Sequence, residues 1–215
     1  MEVDLKMKAE KFWDFLAANY DAGEGDPSER EDLEIIQKYL QREDRVLEYA
    51  CGTGTLAIEL AGRVNEYHAI DISSKMLAAA ERKAEERKVK NIHFAHTTIY
   101  EAGYPIESFA VVMSFNILHL LQDTREAVLR INQLLKPGGL FISSTPCLGE
   151  KKSFVNHLLS PLFLVPSKIG IIPSVRLFKI SELEDLVTHG KFQIVETKKF
   201  IGGLTDYFIV ARKTD

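Results

Sequence analysis

Apolar residues recur along this chain with two different periods. In the first forty residues Phe12, Phe15 and Leu16, and later Leu33, Ile36, Tyr39 and Leu40, return at helical spacing, which predicts two helices. Asp26, Pro27 and Glu29 mark the start of the second, through a side-chain acceptor, a residue with no N–H to leave orphaned, and negative charge at the helix's positive end. The AGEGDP segment between them reads as a flexible break. From Arg45 onward, short apolar runs at 46–49, 67–70, 92–95, 111–115 and 140–143 alternate with longer amphipathic ones at 56–62, 76–88 and 124–135. That βαβα order predicts an α/β fold whose parallel sheet is covered on both faces. Asp123 reads as the N-cap of the 124–135 helix, with Glu126 three residues on, and Lys136-Pro137-Gly138-Gly139 ends it. The rhythm stops between 147 and 180, which reads as an insertion or lid. It returns with Ser181-Glu182-Leu183-Glu184 as a capping box and Gly190 as a helix stop. Runs 192–200 and 207–212, joined through Gly202-Gly203, are linked too closely for anything but an antiparallel pair.

With 215 residues, 46% of them hydrophobic, the chain suits one α/β domain better than two. Lys and Arg number 27 against 31 Asp and Glu, a net charge of −4 that argues against wrapping nucleic acid. Only two cysteines occur, Cys51 and Cys147, so a reducing compartment fits and a disulfide framework does not. The N-terminus lacks the apolar core of a signal peptide, and a cytoplasmic location is expected. The apolar stretch 158–172 is broken by Ser160, Pro161, Pro166, Lys168 and Gly170, and falls short of the roughly 20 residues that span a bilayer.

The strongest chemical signal is the run from Val46 to Leu56, an apolar strand passing through Ala50-Cys51-Gly52-Thr53-Gly54 into a helix. Gly52 and Gly54 have no Cβ, so the turn can take positive φ and press bare peptide groups against a ligand at the sheet's carboxyl edge. Packing alone would also explain such a turn. Asp71 favours the ligand, because it ends the next strand at the spacing where an acid accepts from ribose hydroxyls.

On these residues the chain resembles the class I S-adenosylmethionine-dependent methyltransferases, in the small-molecule branch typified by enzymes of ubiquinone and menaquinone biosynthesis. The resemblance spans nearly the whole chain: Phe12-Trp13-Asp14 with Ala18-Asn19-Tyr20-Asp21, the Leu47–Gly54 turn, Asp71-Ile72-Ser73 with Met76-Leu77, Ser108-Phe109, Asn116-x-Leu118-His119, and Leu135-Lys136-Pro137-Gly138-Gly139. It implies a Rossmann-like three-layer sandwich with a seven-stranded, mostly parallel sheet, an antiparallel C-terminal hairpin, N-terminal helices and an insertion after strand 5. Residues 1–215 would then form one domain, with 1–42 as a helical cap and 147–180 covering the substrate. It further implies that Glu48 faces the methionine amino group and that Ala50, Gly52 and Gly54 line the methionine with backbone. Asp71 would hold the ribose, Ile72 and Met76 flank adenine, Thr98 and Ile99 meet its edge, Asn116 offer a carbonyl, and Tyr20 close the pocket. The reaction implied is methyl transfer from S-adenosylmethionine to a small apolar or aromatic molecule, leaving S-adenosylhomocysteine.

Three positions depart from the family pattern. Ala50 stands where a glycine is usual, which permits close approach if its φ is negative. Thr98 replaces an aspartate and accepts without charge, and Ala110 replaces an aspartate after Phe109. The glycine turn with Asp71 also satisfies a nicotinamide-binding pattern, making an NAD(P)-dependent oxidoreductase one alternative and a non-catalytic binder of the same fold another. His119 is a candidate general base with a pKa near neutrality, although a lone strand-end histidine more often packs. His93 and His96 are spaced like ligands, but no cysteine or carboxylate lies nearby in sequence, and no metal is expected. The apolar residues of 154–173 could cover an acceptor, touch a membrane surface or fill core.

Overall fold

The computed structural model describes residues 2–21, 27–150, 175–201 and 205–214. Helices α1 (Glu2–Leu16) and α2 (Pro27–Tyr39) precede β1 (Arg45–Tyr49), α3 (Thr55–Leu60), β2 (Glu66–Asp71), α4 (Ser74–Glu86), β3 (Ile92–His96) and β4 (Phe109–Phe115). Then come α5 (Thr124–Leu134), β5 (Leu135–Pro146), α6 (Ile180–His189), β6 (Phe192–Ile201) and β7 (Thr205–Lys213). These seven strands form one sheet in the order β3-β2-β1-β4-β5-β7-β6, parallel except where β7 runs against both β5 and β6. Strand β1 pairs with both β2 and β4, so the direction of winding reverses there and a crevice opens at its carboxyl end.

Each face of the sheet carries its own core, which is why alternate strand residues are buried in opposite directions. Leu47, Ile70, Val112 and Phe141 meet Ile131 of α5 and Leu183 of α6, while Val46, Tyr67, Ala69 and Met113 meet Ile36, Leu60 and Leu77 from α2, α3 and α4. Phe109 and Val111, two residues apart, nonetheless belong to opposite cores, because the β4–β5 register shifts between them. The shift is made by Lys136-Pro137-Gly138-Gly139, which does follow α5 but loops out within β5 rather than preceding it.

Two local expectations change. Helix α6 is capped at Lys179, not Ser181: the Glu182 carboxylate accepts from the Lys179 N–H at 3.0 Å, and Glu150, from the start of the expected insertion, accepts from the Ile180 N–H at 3.0 Å. Gly190 ends that helix at φ −75°, and Lys191 takes the left-handed turn at φ +62°. Glycine is needed at 190 for space, since a Cβ there would lie 2.4 Å from Val128 on α5. Residues 22–26 of the expected AGEGDP break, residues 151–174 of the expected insertion, and with them all of 154–173, lie outside the described residues. Among the described residues no helix is long and apolar enough to cross a membrane. Cys51 and Cys147 are buried thiols in separate cores, not a disulfide.

Candidate active site at the carboxyl edge of the sheet

Where β1 leaves the sheet, the backbone turns through three left-handed residues, Ala50 (φ +61°), Gly52 (φ +54°) and Gly54 (φ +71°). Gly54 is the most constrained: a Cβ there would lie 2.8 Å from Ala80 Cβ and 3.2 Å from the Phe94 ring, so the loop packs directly on α4 and β3. Ala50 does not keep the negative φ expected of it. It holds a conformation that costs an alanine about 1–2 kcal/mol, which is the physical reason a glycine suits this position.

Asp71, at the end of β2, ties this loop to the next one. It is 7% exposed, and its Oδ2 accepts from the Gly52 N–H at 2.9 Å while Oδ1 accepts from the Ser73 N–H at 2.8 Å. Burial raises its carboxyl above the usual value, against the opposing effect of these backbone donors. Asp71 lines the crevice, and a carboxylate's roughly four acceptor positions exceed these backbone partners. Glu48, on β1 and 3% exposed, turns under the loop, where the Tyr67 hydroxyl donates to its Oε2 at 2.8 Å. Burial pushes its carboxyl up to about 8; the Tyr67 hydrogen bond opposes this and the neighbouring Asp71 adds to it.

Helix α1 and the turn after it lie across the crevice, held by contacts that no local pattern announces. Asp14 accepts from the Ser73 hydroxyl at 2.6 Å and the Lys75 N–H at 3.2 Å. Asp21 accepts from the Thr53 hydroxyl at 2.7 Å and pairs with Lys83 at 3.0 Å. Beneath lies a cavity of about 140 Å³ whose walls include Trp13, Tyr20, Ala50, Gly52, Asp71, Ile72, Met76 and Asn116, continued by Phe115, Ile117, Leu120 and Leu121. Trp13 and Tyr20 meet edge to face, 6.4 Å apart.

Seven of the expected site residues therefore share one cavity: Tyr20, Ala50, Gly52, Asp71, Ile72, Met76 and Asn116. Glu48, Gly54, Thr98 and Ile99 do not form its walls. Glu48 lies behind the loop, Gly54 is the loop residue packed on α4 and β3, Ile99 is fully buried in the core that includes Phe109, and the Thr98 hydroxyl closes a turn by accepting from the Glu101 N–H at 3.2 Å and donating to the Glu101 carboxylate at 3.1 Å. His119 is also off the cavity walls, in a single 3-10 turn, and burial lowers its pKa to about 4 rather than leaving it near neutrality. His93 and His96 point apart: His96 meets the Ile72 carbonyl and Glu10, while His93 meets Glu66 and stacks on His68. The carboxylate missing near them in sequence is supplied by the neighbouring strand.

The sheet and crevice have relatives of known kind. A family model described as a methyltransferase domain matches residues 40–168. The chain is 31% identical over 139 residues to the uncharacterized methyltransferase YcgJ of Bacillus subtilis, covering 61% of this chain and 54% of that one. It is 28% identical over 128 residues to demethylmenaquinone methyltransferase of Bacillus mycoides, covering 55% and 54%. The chain thus spans about half the length of the curated relatives it matches. The crystal structure of Bacillus subtilis YcgJ superposes over 86% of this chain and 99% of its own with a TM-score of 0.71 at 18% identity. That of the cyclase SpnF superposes over 95% and 94% with a TM-score of 0.75 at 15% identity, so the fold alone serves more than one chemistry. Matched by that family model over more than half of its length, the chain belongs to the class I S-adenosylmethionine-dependent methyltransferases.

Proposed function

We propose that this chain is a single cytoplasmic methyltransferase domain that transfers the methyl group of S-adenosylmethionine to a small apolar or aromatic acceptor, with 1–42 as its cap and 147–180 covering the acceptor. The observation that carries the acceptor class is the wall beyond Asn116, where Phe115, Ile117, Leu120 and Leu121 are all apolar. Demethylmenaquinone methyltransferase among the relatives supports it.

The residues present suit the cofactor. The left-handed loop offers bare backbone at Gly52, Asp71 keeps acceptor capacity for ribose hydroxyls, and Ile72 and Met76 give an adenine ring apolar sides. The cofactor, when bound, supplies an electrophilic methyl group on a sulfonium. The chain's part is to hold donor and acceptor in line and exclude water, which the apolar wall and the Trp13–Tyr20 cover provide. His119 lies off the cavity walls, so positioning rather than a general base there carries the reaction.

Calorimetric titration with S-adenosylmethionine, S-adenosylhomocysteine and NADH side by side tests this reading. Binding of the two adenosyl ligands alone, followed by methylation of a quinol or phenol in an acceptor panel, is expected. NADH binding in their place would make the chain an oxidoreductase, and stoichiometric adenosyl binding without turnover over the panel would make it a non-catalytic binder.

A further inference from the structure

We infer that Glu66, His68 and His93 form a binding site for a zinc-type divalent transition-metal ion at the sheet edge opposite the methyl-transfer cavity. Glu66 and His68 are alternate residues of β2 and share one face, and strand register sets His93 of β3 directly beside His68. Their ligand atoms all lie within 4.8 Å of one another. Glu66 Oε1 is 3.0 Å from His68 Nε2 and 3.3 Å from His93 Nε2. Ligands held about 2.1 Å from a tetrahedral zinc ion stand roughly 3.4 Å apart, so the two edges that meet at Glu66 are already close to that length. Two imidazoles and one carboxylate, with a fourth position open to water, are a donor set that zinc, cobalt and nickel share.

The hydrogen bonding around His68 supplies the second argument. Its Nδ1 lies 3.3 Å from the Tyr104 hydroxyl, an outer partner of the kind that orients a ligating histidine's ring. The His68 Nε2 faces two groups with opposite demands: the Arg45 Nε–H, a donor, at 3.2 Å, and the Glu66 carboxylate, an acceptor, at 3.0 Å. One ring nitrogen cannot satisfy both, whereas a cation between Nε2 and Oε1 does. Arg45, 2.8 Å from Glu66 Oε2 and stacked 4.8 Å over the Phe109 ring, is the positive charge that now neighbours the carboxylate and competes with a metal ion for it.

The test titrates the full chain, stripped with a chelator, with Zn²⁺ by calorimetry and with Co²⁺ by visible absorption. One saturable site with cobalt ligand-field bands is expected. His93→Ala, at a side chain 57% exposed, should weaken binding by about 100-fold or more while thermal unfolding stays unchanged, and His96→Ala should leave affinity unaltered. Arg45→Ala should tighten binding by about tenfold, because it removes the competing positive charge, an effect opposite to that of damaging a mere ion-pair network. The site is overturned if neither wild type nor Arg45→Ala binds either ion with a Kd below about 1 mM, if His93→Ala binds as wild type does, or if Arg45→Ala binds no more tightly.

Discussion

Strand β2 carries a carboxylate at each end, and the two are held in opposite ways. Asp71, at the carboxyl end, is satisfied by backbone N–H groups from two loops, whereas Glu66, about 16 Å away along the strand, is satisfied by the side chains of Arg45, His68 and His93. Backbone donors cannot leave without remaking the turn, so the Asp71 end is a fixed cradle. Side-chain partners can rotate away, so the Glu66 end can exchange one cation for another. Rigid positioning suits methyl transfer, and exchangeable partners suit reversible ion binding.

The largest break in this contrast comes from the cradle's tightest point. Gly54→Ala imposes a left-handed alanine and an overlap with Ala80, and should cost about 3 kcal/mol, lowering Tm by roughly 6–12 °C in calorimetry. A change within 2 °C would show that the loop has slack. The pH profile comes next. Glu48 is pushed up to about 8 from 4.5, so the folded chain holds a proton that the unfolded chain releases first. Stability should therefore fall by a few kcal/mol as pH rises from about 4.5 to about 8 and then level off, a slope that Glu48→Gln should abolish in urea melts at pH 5.5 and 8. A parallel profile for the variant would mean that water reaches the carboxyl.

Affinity sharpens the comparison directly. Asp71→Asn should weaken S-adenosylhomocysteine binding by about tenfold or more, near 1.4 kcal/mol, while Glu66→Gln leaves it within about twofold. Equal losses from the two would dissolve the distinction between the ends. The smallest effect belongs to Ala50→Gly, which relieves the φ of +61° but gives the unfolded chain more freedom, for a net gain of about 0.5 kcal/mol or 1–2 °C in Tm.

What could be read from sequence was whatever neighbouring residues decide among themselves. The order of helices and strands followed from periodicity, Asp123 capped α5 as its spacing requires, and Gly52 with Asp71 met because a strand-turn-helix unit fixes their separation. The C-terminal hairpin was legible because its link is too short for another pairing. Residues whose surroundings come from distant segments were not legible. Thr98 turned to Glu101 instead of the cavity, Glu150 capped α6 from thirty residues earlier in the chain, and Asp14 fastened α1 to Ser73. Burial reset His119 and Glu48, and β2–β3 register joined His93 to Glu66 while leaving His96 elsewhere. Backbone periodicity and turn chemistry are local energies written into adjacent residues, so the sequence by itself determined the α/β order and the glycine-turn cradle. Handedness at Ala50, ionisation and the company each side chain keeps depend on packing and desolvation by remote parts of the chain, which only the tertiary structure decided.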